Sequence, residues 1–229
     1  MQPSTMMRDR RTAHASRCRP RRASWWRGGV VLVLLACLTA CAMTPQPAVL
    51  SADDRTALTQ VSAYLNNLQR FQATFTQSGP QGVERGEVWL DRPGRMRVEY
   101  TAPGPETILA NHGQLLVVNP STGATTTMPV SRTPLDILLR SEIPLSGPVT
   151  VTALRREPGL LSVSLAKTDA PRQGTLTLRF SANPLALRGV IIQDRSGRVT
   201  ALALQDIVRN PRFAPDQFIA SPGTAAGPG

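Results

Sequence analysis

The first periodic stretch of the chain is helical. Four apolar residues recur at spacings of three and four and place one apolar face along about 18 residues: Leu58, Val61, Leu65 and Leu68. Ser51 and Asp54 have the spacing of a capping box, in which each side chain bonds the backbone N–H of the other residue. We therefore expect an amphipathic helix that begins directly after Ser51.

The period changes from about 3.6 to two at residue 71. Phe71, Ala73 and Phe75 alternate with polar residues, as in a strand that buries one face. Similar short segments follow, separated by turns that contain glycine, proline and asparagine, which predicts an antiparallel meander. The expected strands cover 71–76, 85–91, 95–100, 106–110, 114–118, 124–128, 149–155, 160–167, 174–181, 187–194 and 199–207.

The meander is interrupted once, near residue 135. Thr133, Pro134 and Asp136 supply an N-cap residue, a proline for the first turn and an acid at the third position of a helix. A run of Ile and Leu follows, so we expect a short apolar helix over 134–141. Two helices and about ten strands predict an α+β fold, a strongly curved antiparallel sheet whose concave hydrophobic face is covered by the helices.

The apolar residues of that concave face have two alternative explanations. Aromatic residues make up only 4% of the chain, whereas Leu and Val are plentiful. A slot lined by aliphatic side chains either collapses into an ordinary core or holds an apolar ligand. The pattern of residues alone leaves both alternatives open.

The formal net charge of +11 is concentrated at the N-terminus. Residues 1–29 carry eight arginines and one aspartate, whereas the remaining 200 residues carry 18 basic and 14 acidic groups. A nucleic-acid-binding face needs clustered cations with stacking aromatics, and after residue 30 the cations are scattered. We therefore expect no nucleic-acid partner.

The basic segment leads into an apolar run of 11 residues at 30–40. This arrangement is typical of a secretory signal peptide, and the run is too short to span a bilayer as a helix. Cys41 ends a Leu-Thr-Ala-Cys sequence that resembles the lipobox of bacterial lipoproteins, so acylation of Cys41 and simple cleavage to a soluble product are alternatives. We expect a signal peptide at 1–41, a flexible tether at 42–50, one domain at 51–219 and a disordered tail at 220–229.

Candidate catalytic residues are sparse in the predicted domain. His112 is its one histidine and lies in an Asn-His-Gly turn, and the domain has no cysteine. Glu87 and Asp91 share a strand face, where carboxylates act as an acid–base pair or, as we expect here, pair with nearby arginines in solvent. No histidine or acidic cluster has metal-ligand spacing. We expect a protein that is not an enzyme and uses no cofactor or metal.

Six short motifs have the order and spacing of those in a known family. They are Phe71-x-Ala73-x-Phe75-x-Gln77, Gly86-Glu-Val-Trp-Leu-Asp-Arg-Pro93, Arg97-x-x-Tyr100, Ile108-Leu-Ala-x-x-Gly113, Thr133-Pro-Leu-Asp-Ile-Leu-Leu139 and Asn183-Pro-Leu-Ala-Leu187. Taken together, over residues 52–218, they resemble the LolA family of periplasmic lipoprotein carriers.

The resemblance implies an incomplete antiparallel barrel with a helical lid and a hydrophobic cavity for the acyl chains of outer-membrane lipoproteins. It also implies that Arg92, just before the proline of the Arg-Pro pair, holds the lid closed through hydrogen bonds. The alternative is that Arg92 pairs with Asp91 or Glu87 in solvent. The cavity positions that we expect are Met96, Val98 and Tyr100, which match the family, together with Trp89, Leu109, Leu116, Leu135, Leu138 and Leu139.

The same resemblance implies partners and a compartment. An inner-membrane ABC transporter would supply acylated lipoproteins, and an outer-membrane receptor of the same fold, LolB, or the outer membrane itself would accept them. We expect a monomeric carrier in the periplasm, anchored to the outer membrane if Cys41 is acylated. Because family carriers are soluble and the receptor is a lipoprotein, a tethered LolB-like receptor is one alternative. A carrier of another lipid is a second alternative, since an apolar slot distinguishes chain volume and not the headgroup.

Overall fold

The computed structural model describes residues 45–79 and 82–220, which form two α-helices, eleven strands and two short 3-10 turns. The helices are α1 (Ala52–Asn67) and α2 (Leu135–Leu138). The strands are β1 (Arg70–Gly79), β2 (Gly82–Asp91), β3 (Arg95–Ala102), β4 (Glu106–Asn111), β5 (Gln114–Val118), β6 (Thr125–Pro129), β7 (Val149–Glu157), β8 (Leu160–Lys167), β9 (Gly174–Ala182), β10 (Leu185–Asp194) and β11 (Val199–Arg209).

Helix α1 begins where the capping box predicts. Asp54 N donates to Ser51 Oγ at 3.1 Å, and Ser51 N donates to Asp54 Oδ2 at 3.0 Å. The helix buries its predicted apolar face, and its Tyr64 ring packs edge-to-face on Phe180 of β9, with 5.7 Å between ring centroids. Leu187 N of β10 also donates to the Tyr64 hydroxyl at 3.0 Å. These contacts fix α1 on one half of the sheet.

All eleven strands belong to one antiparallel sheet, as the alternating pattern predicts. Their order is β6-β5-β4-β3-β2-β1-β11-β10-β9-β8-β7, so every pair of adjacent strands is consecutive in sequence except the β1–β11 pair. Strands β6 and β7 are the edges of the sheet and do not pair with each other. The sheet is therefore open, and the α+β fold with an incomplete barrel is confirmed.

The sheet is also strongly curved. Leu115 of β5 and Val190 of β10 line the same cavity, although five strands separate β5 from β10 in the sheet. In a flat sheet with strands about 4.8 Å apart, those two strands would be roughly 29 Å from each other. The cavity consequently lies on the concave face, where side chains from both halves of the sheet converge.

The second helix is shorter than predicted. It covers Leu135–Leu138 instead of 134–141, and a 3-10 turn at Val130–Arg132 precedes it. The predicted N-cap at Thr133 is wrong, because Thr133 Oγ1 donates to Val130 O at 2.8 Å and α2 has no side-chain cap. The helix ends early because tertiary contacts engage the next carbonyls. Gly94 N donates to Leu139 O at 2.8 Å, for example.

Residues 130–148, which we call the lid segment, connect β6 to β7 and hence join the two edges of the sheet. Helix α2 lies within the lid segment and points Leu135 and Leu138 into the cavity. The edges lie at opposite ends of the strand order, and the cavity-lining positions of Leu135 and Leu138 show that the connecting chain crosses the concave side. The connection between the two edge strands therefore forms a lid over the cavity.

The C-terminal segment 210–220 packs on the other face of the sheet. Arg97 Nη1 donates to Gln217 O and to Ile219 O, both at 3.2 Å, and Asn111 Nδ2 donates to Phe218 O at 3.0 Å. Phe218 is only 3% exposed. Since Met96 and Val98 on either side of Arg97 line the cavity, Arg97 points away from it. This segment therefore covers apolar residues on the convex face.

Several predictions concern residues outside the described ranges. The signal peptide at 1–41, the acylation of Cys41 and the tail from 221 onward lie there. At the described end of the predicted tether, Ala48 N donates to Val151 O of β7 at 2.9 Å. Among the described residues, no helix combines the length and the hydropathy needed to cross a bilayer.

Candidate functional site

The concave face encloses a cavity of about 330 Å³. Its walls come from β1–β5, β10, β11 and the lid segment, and most of them are aliphatic. The apolar lining residues are Phe71, Val88, Leu90, Met96, Val98, Ile108, Leu115, Val117, Leu135, Leu138, Val190, Ile192, Leu202 and Leu204. A concave, mainly apolar cavity with a few polar groups is the usual form of a small-ligand site.

Five of the expected cavity residues line this space. Met96, Val98 and Tyr100 follow one another on the inner face of β3, and Leu135 and Leu138 face them from the lid segment. Their period-two spacing on β3 puts all three side chains on the same side of the sheet. The sequence pattern therefore located one wall and the cover of the cavity.

Four other expected residues do not line the cavity. Trp89, Leu109 and Leu116 each sit between residues that point inward, so their side chains lie on the convex face. Leu139 is buried, at 4% exposure, and packs in the core next to α2 without reaching the cavity.

Residues on β1, β2, β10 and β11 complete the cavity, and the sequence-based prediction does not include them. Val88 and Leu90 line it from β2, whereas the sequence predicts Trp89 between them. The signal was present in the sequence, because Glu87 and Asp91 share the face of Trp89 and assign that face to solvent. The contribution of β10 and β11 depends on the β1–β11 pairing, which no local pattern predicts.

Arg92 lies at the end of β2, is 6% exposed, and bonds the backbone of the helical layer. Its Nη2 donates to Leu65 O and, at 2.8 Å, to Leu68 O at the end of α1. Its Nη1 lies 3.5 Å from Arg140 O in the lid segment. Burial lowers the pKa of Arg92, and Nε has no hydrogen-bond partner among the described residues.

The ion pair next to Arg92 involves a different arginine. Arg95 Nη2, not Arg92, contacts Asp91 Oδ2, at 2.5 Å. Within the described residues, Arg92 forms no ion pair with Asp91 or with Glu87. The side chain therefore bonds the end of α1 and lies 3.5 Å from the Arg140 carbonyl of the lid segment.

A second cation contacts the lid segment from the opposite half of the sheet. Lys167, at the end of β8, is 7% exposed and donates from Nζ to Ser131 O at 2.9 Å. Asp136 of α2 accepts a hydrogen bond from Arg140 Nη2 at 2.9 Å. Lys167 was not among the expected residues, because a single lysine at a strand end has no motif that distinguishes it from a surface charge.

The end of the cavity farthest from α2 is polar. Tyr100 donates its hydroxyl proton to Gln77 Oε1 at 2.8 Å, and Gln77 Nε2 donates to Glu84 Oε2. Glu106 is the cross-strand partner of Tyr100 and also lines the cavity. Burial raises the pKa of Glu106, and the charge of Glu84 adds to the effect. Burial, together with the charges of both glutamates, likewise raises the pKa of Tyr100.

The residues considered for catalysis are dispersed. His112 occupies the turn between β4 and β5 with φ 49°, where its backbone N donates to Asn111 Oδ1 at 2.9 Å. Asp91 is paired with Arg95, and Glu87 lies on the convex side of β2. Among residues 45–79 and 82–220, no three His, Cys, Asp or Glu side chains are grouped as metal ligands would be.

The chain matches the family model described as "Outer membrane lipoprotein carrier protein LolA" over residues 66–221. Two relatives named outer-membrane lipoprotein carrier protein are similar to it. The one from Alkalilimnicola ehrlichii is 24% identical over 207 residues, which cover 85% of this chain and 91% of the relative. The one from Methylococcus capsulatus is 25% identical over 183 residues, which cover 75% of this chain and 86% of the relative.

Solved structures with some similarity include a LolA superfamily protein from Nitrosomonas europaea. It is 15% identical, with a TM-score of 0.41, and the match covers 71% of this chain and 97% of that protein. A conserved protein from Thermus thermophilus, also 15% identical, has a TM-score of 0.44, with 76% of this chain and 96% of that protein covered.

Proposed function

The chain belongs to the LolA family of outer membrane lipoprotein carriers, and on this premise we propose that its cavity carries the acyl chains of lipoproteins across the periplasm. The observation that carries the proposal is the apolar cavity of about 330 Å³ beneath a lid segment. Removing an acyl chain from water is worth roughly 0.8 kcal/mol per buried methylene. Partial burial of a chain in the cavity therefore supplies useful affinity.

Arg92 acts as the latch of the closed state in this proposal. A carrier has to hold its ligand and later release it, so the closed and open states must differ by only a few kcal/mol. Hydrogen bonds from a charged group contribute about 1.5–3 kcal/mol each. The bonds from Arg92 to Leu65 O and Leu68 O therefore have the strength that such a switch needs.

The lid segment opens when Arg92 releases the end of α1 together with the Arg140 carbonyl of the lid segment, and the cavity then exchanges its cargo with a partner. We propose that an inner-membrane ABC transporter loads acylated lipoproteins and that an outer-membrane receptor, or the outer membrane itself, unloads them. The working form is a monomer in the periplasm. No step involves a chemical reaction, so the protein acts as a chaperone for its cargo.

The Leu-Thr-Ala-Cys41 sequence favours a second candidate function. If Cys41 is acylated, the protein is anchored to the outer membrane and serves as a LolB-like receptor that accepts cargo. The intact mass of the protein purified from cells distinguishes the two functions, because acylation adds the mass of its acyl chains at Cys41. A mass without acyl chains assigns the soluble carrier.

The test of the carrier proposal is binding of a fluorescent fatty acid to the purified protein, with a diacylated peptide as competitor. Leu138→Asp places a charge in the apolar lining and should abolish binding. Val208→Asp introduces the same charge at a position that is 53% exposed and should leave binding unchanged. Normal binding by a folded Leu138→Asp protein would show that the cavity under α2 is not the ligand site.

A further inference from the structure

The convex face of the sheet has a groove of its own, which we call the convex groove. It encloses about 450 Å³ over strands β1, β11, β10 and β9. The C-terminal segment 210–220 contacts a different part of this face, through Arg97 of β3 and Asn111 of β4. Apart from Ile191, the floor of the convex groove consists of residues with short side chains: Thr76, Ser78, Gly189, Ala201 and Ala203.

The pairing of the strands places this floor in one row with arginines. From β9 to β2, the successive paired residues are Arg179, Gly189, Ala203, Thr76 and Arg85. Residues that are paired across antiparallel strands point to the same side of a sheet, so Arg179 and Arg85 flank the three small residues. Four strand spacings separate the two arginines, which is about 19 Å at the usual spacing of about 4.8 Å.

A third cation lies beside Arg179. Arg188 and Arg179 both line the convex groove, and both side chains are exposed. Within the described part of the chain, neither of them forms an ion pair, and Arg85 forms none either. The described lining of the groove includes no acidic residue. The convex groove therefore has a floor of small side chains and a positive charge on each side.

We propose that the convex groove is a docking surface for an acidic helix of a partner protein. A helix with its side chains is about 10–12 Å in diameter, so it fits between Arg179 and Arg85. The short side chains of Gly189 and Ala203 let its backbone approach the sheet closely. Glutamate or aspartate residues on the two flanks of the helix would then bond the guanidinium groups, which bind carboxylates through two parallel hydrogen bonds.

The shape of this surface favours a helix over a membrane. A lipid surface is flat on the scale of one protein domain and touches a strongly curved convex face only at its highest points. The arginines would then meet the headgroups while the floor of the groove stayed unfilled. A protein that binds a membrane through one face also inserts large apolar side chains, whereas Ile191 is the largest apolar residue of the floor and is only half-exposed.

Docking in the convex groove leaves the cavity accessible. Ala201 and Ala203 alternate along β11 with Thr200, Leu202 and Leu204, which line the cavity on the other face. A partner can therefore bind the protein whether or not a ligand occupies the cavity. The docking surface goes beyond the proposed carrier function and does not depend on it.

The test uses a hydrocarbon-stapled, alanine-rich peptide with glutamates along both flanks of one helical face. A length of about 18 residues gives a helix of about 27 Å, and the staple is needed because short isolated helices are marginal in water. The same peptide with lysines in place of the glutamates is the comparison. We expect the glutamate peptide to shift the NMR amide signals of Gly189 and Ala203 but not that of Leu138, and the lysine peptide to shift none of them.

A pair of double variants decides whether the arginines of the groove are responsible. Arg179→Gln with Arg188→Gln should weaken binding of the glutamate peptide by about tenfold, the size of two partly exposed ion pairs. Arg172→Gln with Arg195→Gln is the matched control, because it removes the same charge from exposed positions in the connections β8–β9 and β10–β11. The control should bind the peptide as the unchanged protein does. Fatty acid binding should be the same in both double variants.

Three results would overturn the docking surface. One is equal weakening by the two double variants, which would show an unspecific attraction to positive charge. Another is the absence of amide shifts at Gly189 and Ala203 with up to about 1 mM glutamate peptide. The third is binding to phosphatidylglycerol vesicles that Arg179→Gln with Arg188→Gln abolishes, in a protein that does not bind the peptide, which would assign the arginines to a membrane.

Discussion

The ammonium group of Lys167 lies 3.7 Å from a carboxylate oxygen of Asp136, so the only lysine of the chain contacts helix α2 from the end of β8. Asp136 also binds Arg140, whose carbonyl lies 3.5 Å from Arg92 on the opposite side of the lid segment. The lid segment is consequently held by one cation from each half of the sheet. The two cations reach it through different atoms and can be tested separately.

Lys167→Met should loosen the lid segment on the β8 side. The substitution removes the bond to Ser131 O and the contact with Asp136, while Asp136 keeps its bond with Arg140. We expect the dissociation rate of a fluorescent fatty acid to rise by about fivefold, which corresponds to about 1 kcal/mol. Arg132→Met removes a positive charge from an exposed position of the same segment and should not change the rate. Equal rates for both variants would show that Lys167 does not restrain the lid.

Arg92→Leu should shift the protein towards its open state. It removes the side-chain hydrogen bonds to Leu65 O and Leu68 O at the end of α1 and the contact with Arg140 O of the lid segment. We expect faster uptake of ligand, about tenfold or more, because each lost bond contributes about 1.5–3 kcal/mol. Transfer of bound acylated peptide to liposomes should be impaired. Arg95→Leu, which removes an arginine that is 49% exposed, is the control. Retention and transfer that both match those of the control would leave Arg92 with a structural role only.

Gly86→Ala should destabilise the sheet. A Cβ atom at this position would lie 2.0 Å from Glu99 O and 2.7 Å from Phe75 Cζ, so the backbone of β3 would have to move. Overpacking of this kind costs about 1–3 kcal/mol. Gly104→Ala is the control, because a Cβ there has no atom within 4 Å. Urea unfolding measures both variants, and a Gly86→Ala protein as stable as the control would contradict the close approach of β2 and β3.

Glu106→Gln should raise the thermal stability of the protein in a pH-dependent way. The pKa of Glu106 is raised in the folded protein above its ordinary value of 4.5, chiefly by burial and also by Glu84. The folded state therefore holds its proton more tightly than the unfolded state does, and ionisation destabilises the fold as pH rises through the folded pKa. Glutamine never ionises, so its stabilising effect should be smallest below pH 4.5 and largest at neutral pH. A difference in melting temperature that does not depend on pH would contradict this account.

The sequence predicted the bounds of helices and strands better than it predicted which face of each strand points into the cavity. Helix α1 and most strand bounds follow from local periodicity and capping, which act within a few residues. The assignment of Trp89 to the cavity failed because an apolar residue on either face of a strand satisfies a hydrophobicity rule. The burial of Phe218 on the convex face is a contact between distant parts of the chain, which no local pattern predicts.

The lid was harder to predict for a similar reason. A run of Ile and Leu after Pro134 favours several helical turns by itself, yet α2 ends at Leu138. The carbonyls of Leu139 and Arg140 are engaged by Gly94 and Arg92, which lie more than 40 residues earlier in the chain. Tertiary bonding of this kind overrides local helix propensity. The family resemblance pointed to Arg92 as a residue that contacts the lid. No motif contains Lys167, so its contacts with Ser131 and Asp136 could not be predicted.

The lid segment joins the two edge strands of the sheet, β6 and β7. Under the proposed function, this connection would limit the width of the cargo that the cavity can accept. A connection with a fixed number of residues sets the largest distance between the edge strands, since a chain extends by at most about 3.3–3.6 Å per residue. If the sheet opens to admit a bulkier ligand, the edge strands β6 and β7 move apart until residues 139–148 are fully extended. Lengthening that stretch with inserted residues should widen the range of acyl chains accepted, whereas shortening it should restrict the protein to slimmer ones. The number of residues between α2 and β7 would therefore set the maximum width of the acyl chains that the cavity accepts.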